Sequence, residues 1–220
     1  MRQIIVAPSI LAADLTRMGE EVINVRNNGA KWLHYDIMDA HFVPNLSFGP
    51  NIVKSLSSYN LFNDVHLMIE EPIKYAKKFA EAGADLITFH YEAVEDPIEA
   101  ASEIRSMKRN IKVGLSIKPR TPIKDILPML NFFDLVLVMS VEPGFGGQKY
   151  IPFSDQKIRG LREYIDVHKL DTLIEVDGGI NQETGKRARL EGADVLVAGT
   201  YVFSSDDRYK VIHDLLGEDK

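Results

Sequence analysis

The chain has 220 residues, of which 45% are hydrophobic, so we expect residues 1–220 to form a single domain with its own core. The net charge of −6 provides no basic field for nucleic acid or for an anionic membrane, which favours a small-molecule partner. The absence of cysteine excludes disulfides and thiolate chemistry and leaves His, Asp and Glu as metal ligands. The amino-terminal segment has neither a signal-peptide layout nor a membrane-length apolar run, which predicts a soluble, cytoplasmic protein.

Helical patterns separate a series of short apolar segments along the chain. The first covers 14–28, where a candidate N-cap at Asp14 precedes an apolar stripe made of Leu15, Met18, Val22 and Val25. A second starts at 96–99, which has an N-cap, a first-turn proline and a following carboxylate. Its predicted stripe consists of Ile98, Ala101 and Ile104. The segments predicted as strands are 3–8, 32–37, 62–68, 85–90, 111–116, 133–139, 172–177 and 194–198.

An internal repeat indicates how these elements are arranged. The segments NGAKWLHYD (28–36), AGADLITFH (82–90) and EGADVLVAG (191–199) each place a glycine between a helix end and a strand. Gly83 follows Gly29 by 54 residues, and Gly192 follows Gly83 by 109, near two and four copies of a unit of about 27 residues. Alternating strands and helices predict a parallel sheet. The even spacing, with no GxGxxG after the first strand, favours a closed (β/α)8 barrel over a doubly wound sheet.

Polar residues are concentrated where the predicted strands end. In a (β/α)8 barrel the active site is built at that end, and buried polar groups are costly unless they are paired, so we expect a shared pocket there. The polar residues at these positions are Ser9, His34, Asp36, His66, His90, Ser140 and Asp177.

Two histidines and two aspartates in this set predict a metal site. His34 and Asp36 are two positions apart in one strand and therefore share a face. One such histidine alone is more often structural, but four candidate ligands at one end of a barrel favour coordination. The set His34, Asp36, His66 and Asp177 suits one divalent ion among zinc, iron, manganese and cobalt, and the ligand types do not choose among them.

Glycines after three consecutive strands predict a phosphate site. A single glycine-rich turn often reflects only a need for positive φ. Three such turns after the last three strands lie where barrels bind phosphate through backbone amides, which favours a phosphorylated substrate. The residues concerned are Gly144, Phe145, Gly146 and Gly147, then Gly178 and Gly179, and finally Gly199 and Thr200.

Four long motifs resemble the ribulose-phosphate 3-epimerase family: HYDIMDAHFVPNLSFGP (34–50), DVHLMI (64–69), LVLVMSVEPGFGGQKYIP (135–152) and EVDGGIN (175–181). The similarity extends from APSILAADL (7–15) to VLVAGT (195–200). The resemblance implies a TIM barrel of the ribulose-phosphate-binding type and a homo-oligomer. It also implies that Asp36 and Asp177 are proton acceptor and donor, that Ser9 and His66 contact substrate, and that Met38, Met68 and Met139 line the pocket.

The resemblance further implies the reaction and the ligand sets. The reaction is interconversion of D-ribulose 5-phosphate and D-xylulose 5-phosphate by proton transfer at carbon 3 through an enediolate, as in the pentose phosphate pathway. By resemblance, His34, Asp36, His66 and Asp177 are the metal ligands, and the glycines with Thr200 contact the sugar phosphate. Ala40 and Thr200 stand where the family usually has glycine and serine, which bears on affinity or sugar choice more than on chemistry.

Three other functions of related barrels can be compared with this pattern. Related barrels that decarboxylate or cleave sugar phosphates carry a D-x-K-x-x-D motif, which is absent from this chain. An epimerase of another ketose phosphate, such as D-allulose 6-phosphate, is harder to separate because Gly199-Thr200 also occurs in that relative. A non-catalytic sugar-phosphate-binding barrel predicts loss of a residue from the metal set, whereas all four are present.

Overall fold

Eight parallel strands form one sheet in the computed structural model of the protein, which describes residues 2–218. The strands are β1 (Ile5–Pro8), β2 (Trp32–Met38), β3 (Phe62–Met68), β4 (Leu86–His90), β5 (Lys112–Ile117), β6 (Leu135–Met139), β7 (Leu173–Asp177) and β8 (Val195–Ala198). Their hydrogen-bonded order is β1-β8-β7-β6-β5-β4-β3-β2. A parallel bridge between Ser9 and His34 joins β1 to β2, so the sheet closes into the predicted (β/α)8 barrel.

Helices surround the strands. They are α1 (Met18–Asn27), α2 (Pro50–Leu56), α3 (Pro72–Ala82), α4 (Pro97–Met107), α5 (Ser154–His168), α6 (Gln182–Glu191), α7 (Thr200–Phe203) and α8 (Arg208–Leu216). Between β5 and β6, the 3₁₀ segments Ile123–Asp125 and Leu127–Phe132 take the place of an α-helix. No helix within residues 2–218 combines the length and the apolar character required to cross a bilayer.

Strand alternation separates two apolar layers. On β2, Leu33, Tyr35 and Ile37 point outward into the large cluster between the sheet and the helices. The intervening residues His34 and Asp36 point into the barrel, and both are buried. The same alternation on the other strands places small and branched side chains inside the barrel: Ala7, Leu86, Leu135, Leu137, Val195 and Val197. The barrel is therefore packed below the polar residues at its carboxyl end.

Two details of the predicted helices are wrong. Asp14 caps a 3₁₀ turn, Leu15–Arg17, and α1 begins only at Met18. Leu15 is consequently 61% exposed, because the helical spacing that would bury it starts three residues later. In α4 the buried residues are Pro97, Ala100, Ala101 and Ile104, and Ile98 lies off that face with 37% exposure. The predicted cap of α4 at Asp96 is confirmed.

Aspartates immediately before β4, β6 and β8 close the amino-terminal end of the barrel. Asp85 accepts a hydrogen bond from the backbone N–H of Asn63 at 2.8 Å. Asp134 accepts from the Val113 N–H at 2.9 Å, and Asp194 from the Ile174 N–H at 2.9 Å. Each carboxylate thus joins its own strand to the preceding one, at the end opposite the predicted site.

These aspartates differ in burial, which gives a stability prediction. The Asp194 side chain is 6% exposed and pairs with Arg162 at 2.6 Å, whereas the Asp134 side chain is 27% exposed. Asp194→Ala removes the acceptor of a buried N–H and the closest partner of Arg162, which keeps only its 3.3 Å contacts, so we expect a loss of about 2–4 kcal/mol in unfolding free energy. Asp134→Ala should cost about 1–2 kcal/mol. Urea unfolding of both variants tests this, and equal losses would contradict the role assigned to Asp194.

Candidate active site

A cavity of about 260 Å³ opens at the carboxyl end of the strands. The predicted site residues that line it are Ser9, Asp36, Gly144, Phe145, Gly146, Gly147, Asp177, Gly178, Gly179, Gly199 and Thr200. Met38, Met68 and Met139 line it as well. His34 and His66 are fully buried and do not line the cavity. Asn45 and Gln148 were not predicted, and both belong to the cavity wall.

The four predicted metal ligands lie close together. His34, Asp36, His66 and Asp177 each offer one ligand atom, and these atoms all lie within 4.8 Å of one another. The Nε2 atom of His34 and the Nδ1 atom of His66 are each 3.4 Å from Oδ1 of Asp36. The donor set has two imidazole nitrogens and two carboxylates, which suits a divalent transition metal.

The ring nitrogens support a metal at this position. His34 Nε2 and His66 Nδ1 are buried and have no hydrogen-bond partner among the described residues. A buried nitrogen without a partner is unfavourable unless something else satisfies it. Because both nitrogens face the same carboxylate, one ion at this point would satisfy them together. The residues present therefore fit a metal ion.

The two cavity carboxylates have opposite pKa shifts. Loss of hydration opposes ionisation of Asp36, but the neighbouring His34 and His66 together outweigh it and hold the pKa of Asp36 below its usual range. Loss of hydration and then the charge of Asp36 raise the pKa of Asp177 to about 7. Ser9 donates a hydrogen bond to Oδ2 of Asp36 at 2.5 Å and so fixes that carboxylate. In the absence of metal, one carboxylate is ionised while the other retains a proton near neutral pH.

Buried acidic residues lie below this group. Nδ1 of His34 is 2.5 Å from Oδ2 of Asp64, which leaves Nε2 directed at Asp36. Burial opposes protonation of His34, but the charges of Asp64 and Asp36 raise its pKa well above its usual value. Glu175 is also fully buried, and burial and then Asp64 raise its pKa. Asp64 precedes His66 by two positions in β3, and Glu175 precedes Asp177 by two positions in β7. Because alternate residues of a strand share a face, strand alternation could have predicted that both acids point into the barrel.

A second histidine, His90, contacts His66. Nε2 of His66 lies 2.9 Å from Nε2 of His90, and Nδ1 of His90 lies 3.2 Å from Oε2 of Glu92. Burial lowers the pKa of His90 to about 4. Burial opposes ionisation of Glu92, but hydrogen bonds from His90, Thr121 and the Lys118 amide lower its pKa to about 2. The sequence pattern correctly predicted His90 at the carboxyl end of β4 but assigned no role to this residue. Glu92 was not predicted as part of the site.

Glycines allow the loops after β6 and β7 to pack against each other. Gly178 and Gly179 have φ values of 120° and 63°, which favour glycine. A Cβ on Gly179 would also lie 2.4 Å from the backbone nitrogen of Tyr150, closer than atoms can approach. Asn45, in the loop after β2, donates a hydrogen bond at 2.7 Å to the carbonyl of Gly144 in the loop after β6, and this bond connects the two loops. These contacts hold the loops after β2, β6 and β7 together beside the cavity that their residues line.

Known proteins resemble the chain in sequence. Residues 5–203 match the model of the ribulose-phosphate 3 epimerase family. A protein of Mycobacterium tuberculosis named ribulose-phosphate 3-epimerase is 48% identical over 204 residues, which cover 92% of this chain and 87% of that protein. A Bacillus subtilis protein of the same name is 44% identical over 214 residues, covering 96% of this chain and 98% of its own length.

Solved structures with much lower identity share the fold. KGPDC from Streptococcus mutans superposes with a TM-score of 0.71 at 14% identity, over 99% of this chain and 97% of that one. Orotidine 5'-phosphate decarboxylase from Pyrococcus horikoshii superposes with a TM-score of 0.69, also at 14% identity, over 97% and 98% of the two chains. These similarities support the barrel, while the sequence matches extend over its site residues. The chain belongs to the ribulose-phosphate 3-epimerase family.

Proposed function

We propose that this protein is a metal-dependent epimerase that interconverts D-ribulose 5-phosphate and D-xylulose 5-phosphate in the pentose phosphate pathway. The pair Asp36 and Asp177 supports this function, because both line one cavity beside two buried imidazole nitrogens that have no partner among residues 2–218. The named relatives support this substrate over D-allulose 6-phosphate or another ketose phosphate.

One divalent ion, either zinc, iron, manganese or cobalt, completes the proposed site. His34, Asp36, His66 and Asp177 would hold it, since their ligand atoms already lie within 4.8 Å of one another. When bound, the ion supplies positive charge that stabilises the negative charge developing on the substrate oxygens. A positioned acid or base contributes only about 10²–10⁴-fold, so this electrostatic contribution is required to reach usual enzymatic rates.

The two aspartates carry the proton transfers. Asp36 takes the proton from carbon 3 of D-ribulose 5-phosphate, and the electron pair left behind is delocalised into the adjacent carbonyl as an enediolate. Asp177 then donates a proton to the opposite face of carbon 3, which inverts that carbon and restores the carbonyl. Ser9 keeps one oxygen of Asp36 fixed during the transfer through its 2.5 Å hydrogen bond. The reverse reaction exchanges the roles of the two carboxylates.

Backbone amides would anchor the phosphate and the sugar. Gly-rich turns after β6, β7 and β8 suit an anion because their N–H groups can approach it without interference from side chains. Ser9 and His66 are further proposed substrate contacts, together with Asp177. The proposed contacts in the turns are Gly144, Phe145, Gly146, Gly147, Gly178, Gly179, Gly199 and Thr200.

Three broader properties also belong to the proposal. Residues 1–220 form one catalytic domain, because residues from the first strands and from the last strands of the chain line a single cavity. The protein acts in the cytoplasm, as expected for an enzyme of sugar-phosphate metabolism. It assembles as a homo-oligomer, as the family resemblance implies, and with a net charge of −6 it binds neither nucleic acid nor membrane.

The separate roles of Asp36 as proton acceptor and Asp177 as proton donor predict a pattern of hydrogen–deuterium exchange at carbon 3 in D₂O. With D-ribulose 5-phosphate, Asp177→Asn should lose inversion by about 10²–10⁴-fold but still exchange the carbon 3 proton, because Asp36 can remove and return it on one face. Asp36→Asn should lose both inversion and exchange from this sugar. From D-xylulose 5-phosphate the two variants should exchange roles. NMR of the recovered sugars measures both quantities.

Two outcomes of the exchange experiment would contradict the assignment. Near wild-type inversion by either variant would show that its carboxylate is not needed as acid or base. An identical exchange pattern from both sugars would show that the two carboxylates do not serve opposite faces. Wild-type protein in the same D₂O buffer provides the reference for inversion and for exchange.

A charge placed in the β6 loop tests the phosphate site. A Cβ on Gly146 meets no atom of residues 2–218 within 4 Å, so the loop accommodates a side chain there. Gly146→Asp should raise KM for the sugar phosphate about fivefold or more, because one charge pair at 4 Å in water is worth about 1 kcal/mol. Gly146→Asn is the isosteric neutral control. Equal KM values for the two variants in steady-state assays would place the phosphate elsewhere.

A further inference from the structure

Three side chains form a connected series that leads away from the proposed metal site. Nε2 of His66 is 2.9 Å from Nε2 of His90, and Nδ1 of His90 is 3.2 Å from Oε2 of Glu92. Both imidazole rings are fully buried, while the Glu92 side chain is 21% exposed. His90 ends β4, and Glu92 lies in the 3₁₀ turn that follows it, Tyr91–Ala93. Neither His90 nor Glu92 lines the cavity.

Hydrogen-bond chemistry fixes the proton positions along this series. A carboxylate only accepts, so Nδ1 of His90 must carry the hydrogen that points at Glu92. Burial favours the neutral imidazole, which has one N–H, so Nε2 of His90 is an acceptor. Nε2 of His66 must then donate to it. The remaining nitrogen of His66, Nδ1, is left as a lone pair directed at Asp36.

Glu92 is itself held in one orientation. Its Oε1 atom accepts a hydrogen bond from the backbone N–H of Lys118 at 2.8 Å and another from the Thr121 hydroxyl. The Lys118 N–H can only donate, so the group facing it must be an oxygen. The loop after β5 therefore decides which atom of residue 92 faces His90.

We propose that Glu92 is a positioning residue that acts through His90 to hold His66 in the tautomer whose Nδ1 can bind a metal ion. The inference rests on the proposed metal site and adds to it a residue outside the four ligands. His34 is oriented in the same sense by direct contact with Asp64 at 2.5 Å. Both histidines thus direct a ring nitrogen toward Asp36, His34 through one contact and His66 through two.

Glu92→Gln tests this proposal because it reverses the direction of the hydrogen bond between residue 92 and His90 while keeping the shape of the side chain. The Lys118 N–H keeps the amide oxygen on its own side, so the NH₂ group of glutamine faces Nδ1 of His90. His90 must then accept at Nδ1 and donate at Nε2. His66 must accept at Nε2, which moves its hydrogen to Nδ1, the nitrogen proposed to bind the metal.

The experiment measures Zn²⁺ affinity of the full-length protein by competition with a chromophoric chelator. Disruption of partners behind a ligand histidine typically costs about 10–100-fold in affinity, and we expect Glu92→Gln to fall in this range. Glu92→Ala should lose less than Glu92→Gln, because His90 is then free to adopt either tautomer. Glu95→Gln, which removes the same charge at an exposed position three residues along, should bind like wild type.

Ring ¹⁵N NMR of metal-free protein reports the tautomers directly. The wild-type spectrum should show His66 protonated at Nε2 and His90 at Nδ1, and Glu92→Gln should reverse both. Protonation of His66 at Nδ1 in wild type would overturn the proposal even if no variant folds. Wild-type affinity in Glu92→Gln would also overturn it, as would a greater loss in Glu92→Ala with unchanged tautomers.

Zn²⁺ binding by wild-type protein and by Glu92→Gln separates a failure of the proposed metal site from a failure of the role assigned to Glu92. If wild-type protein binds no Zn²⁺, the metal site proposed for the function fails and the role of Glu92 fails with it. If wild type binds Zn²⁺ and Glu92→Gln binds it equally well, the metal site stands and only the role of Glu92 is overturned.

Discussion

Two buried imidazole nitrogens that face the same carboxylate oxygen determine how the rest of the site is arranged. His34 Nε2 and His66 Nδ1 lie 3.4 Å from the same oxygen of Asp36, and neither has a hydrogen-bond partner among residues 2–218. Such an arrangement is unfavourable in a packed interior unless a bound cation satisfies these atoms, because buried polar atoms without partners are costly. The surrounding acids, the second histidine and the anchored loop after β5 all orient groups toward this point.

The closed barrel makes this convergence possible. Parallel strands direct alternate side chains inward, and closure by the Ser9–His34 bridge brings β1 and β2 together with the strands that carry His66 and Asp177. At the opposite end, aspartates before three strands join neighbouring strands by accepting backbone hydrogen bonds. One end of the barrel therefore provides stability, and the other holds polar groups whose burial is unfavourable without a ligand.

Strand periodicity predicted much of this arrangement. The i, i+2 spacing of His34 and Asp36 correctly placed both inside the barrel, and the glycine repeat correctly indicated eight units. The error at Leu15 arose because a 3₁₀ turn precedes α1, and residue spacing does not reveal where that turn ends. The contact of Glu92 with His90 depends on side-chain orientation and on a loop 26 residues away in sequence, so no local pattern could have indicated it.

We expect His34, Asp36, His66 and Asp177 to bind one metal ion together. X-ray absorption spectroscopy of the Zn²⁺-loaded protein tests it most directly, because imidazole rings give a distinct multiple-scattering signal. We expect one zinc per chain with two imidazoles, Zn–N distances of about 2.0–2.1 Å, and oxygen for the remaining ligands. A zinc with no imidazole or only one in its coordination shell, or no bound zinc, would contradict it.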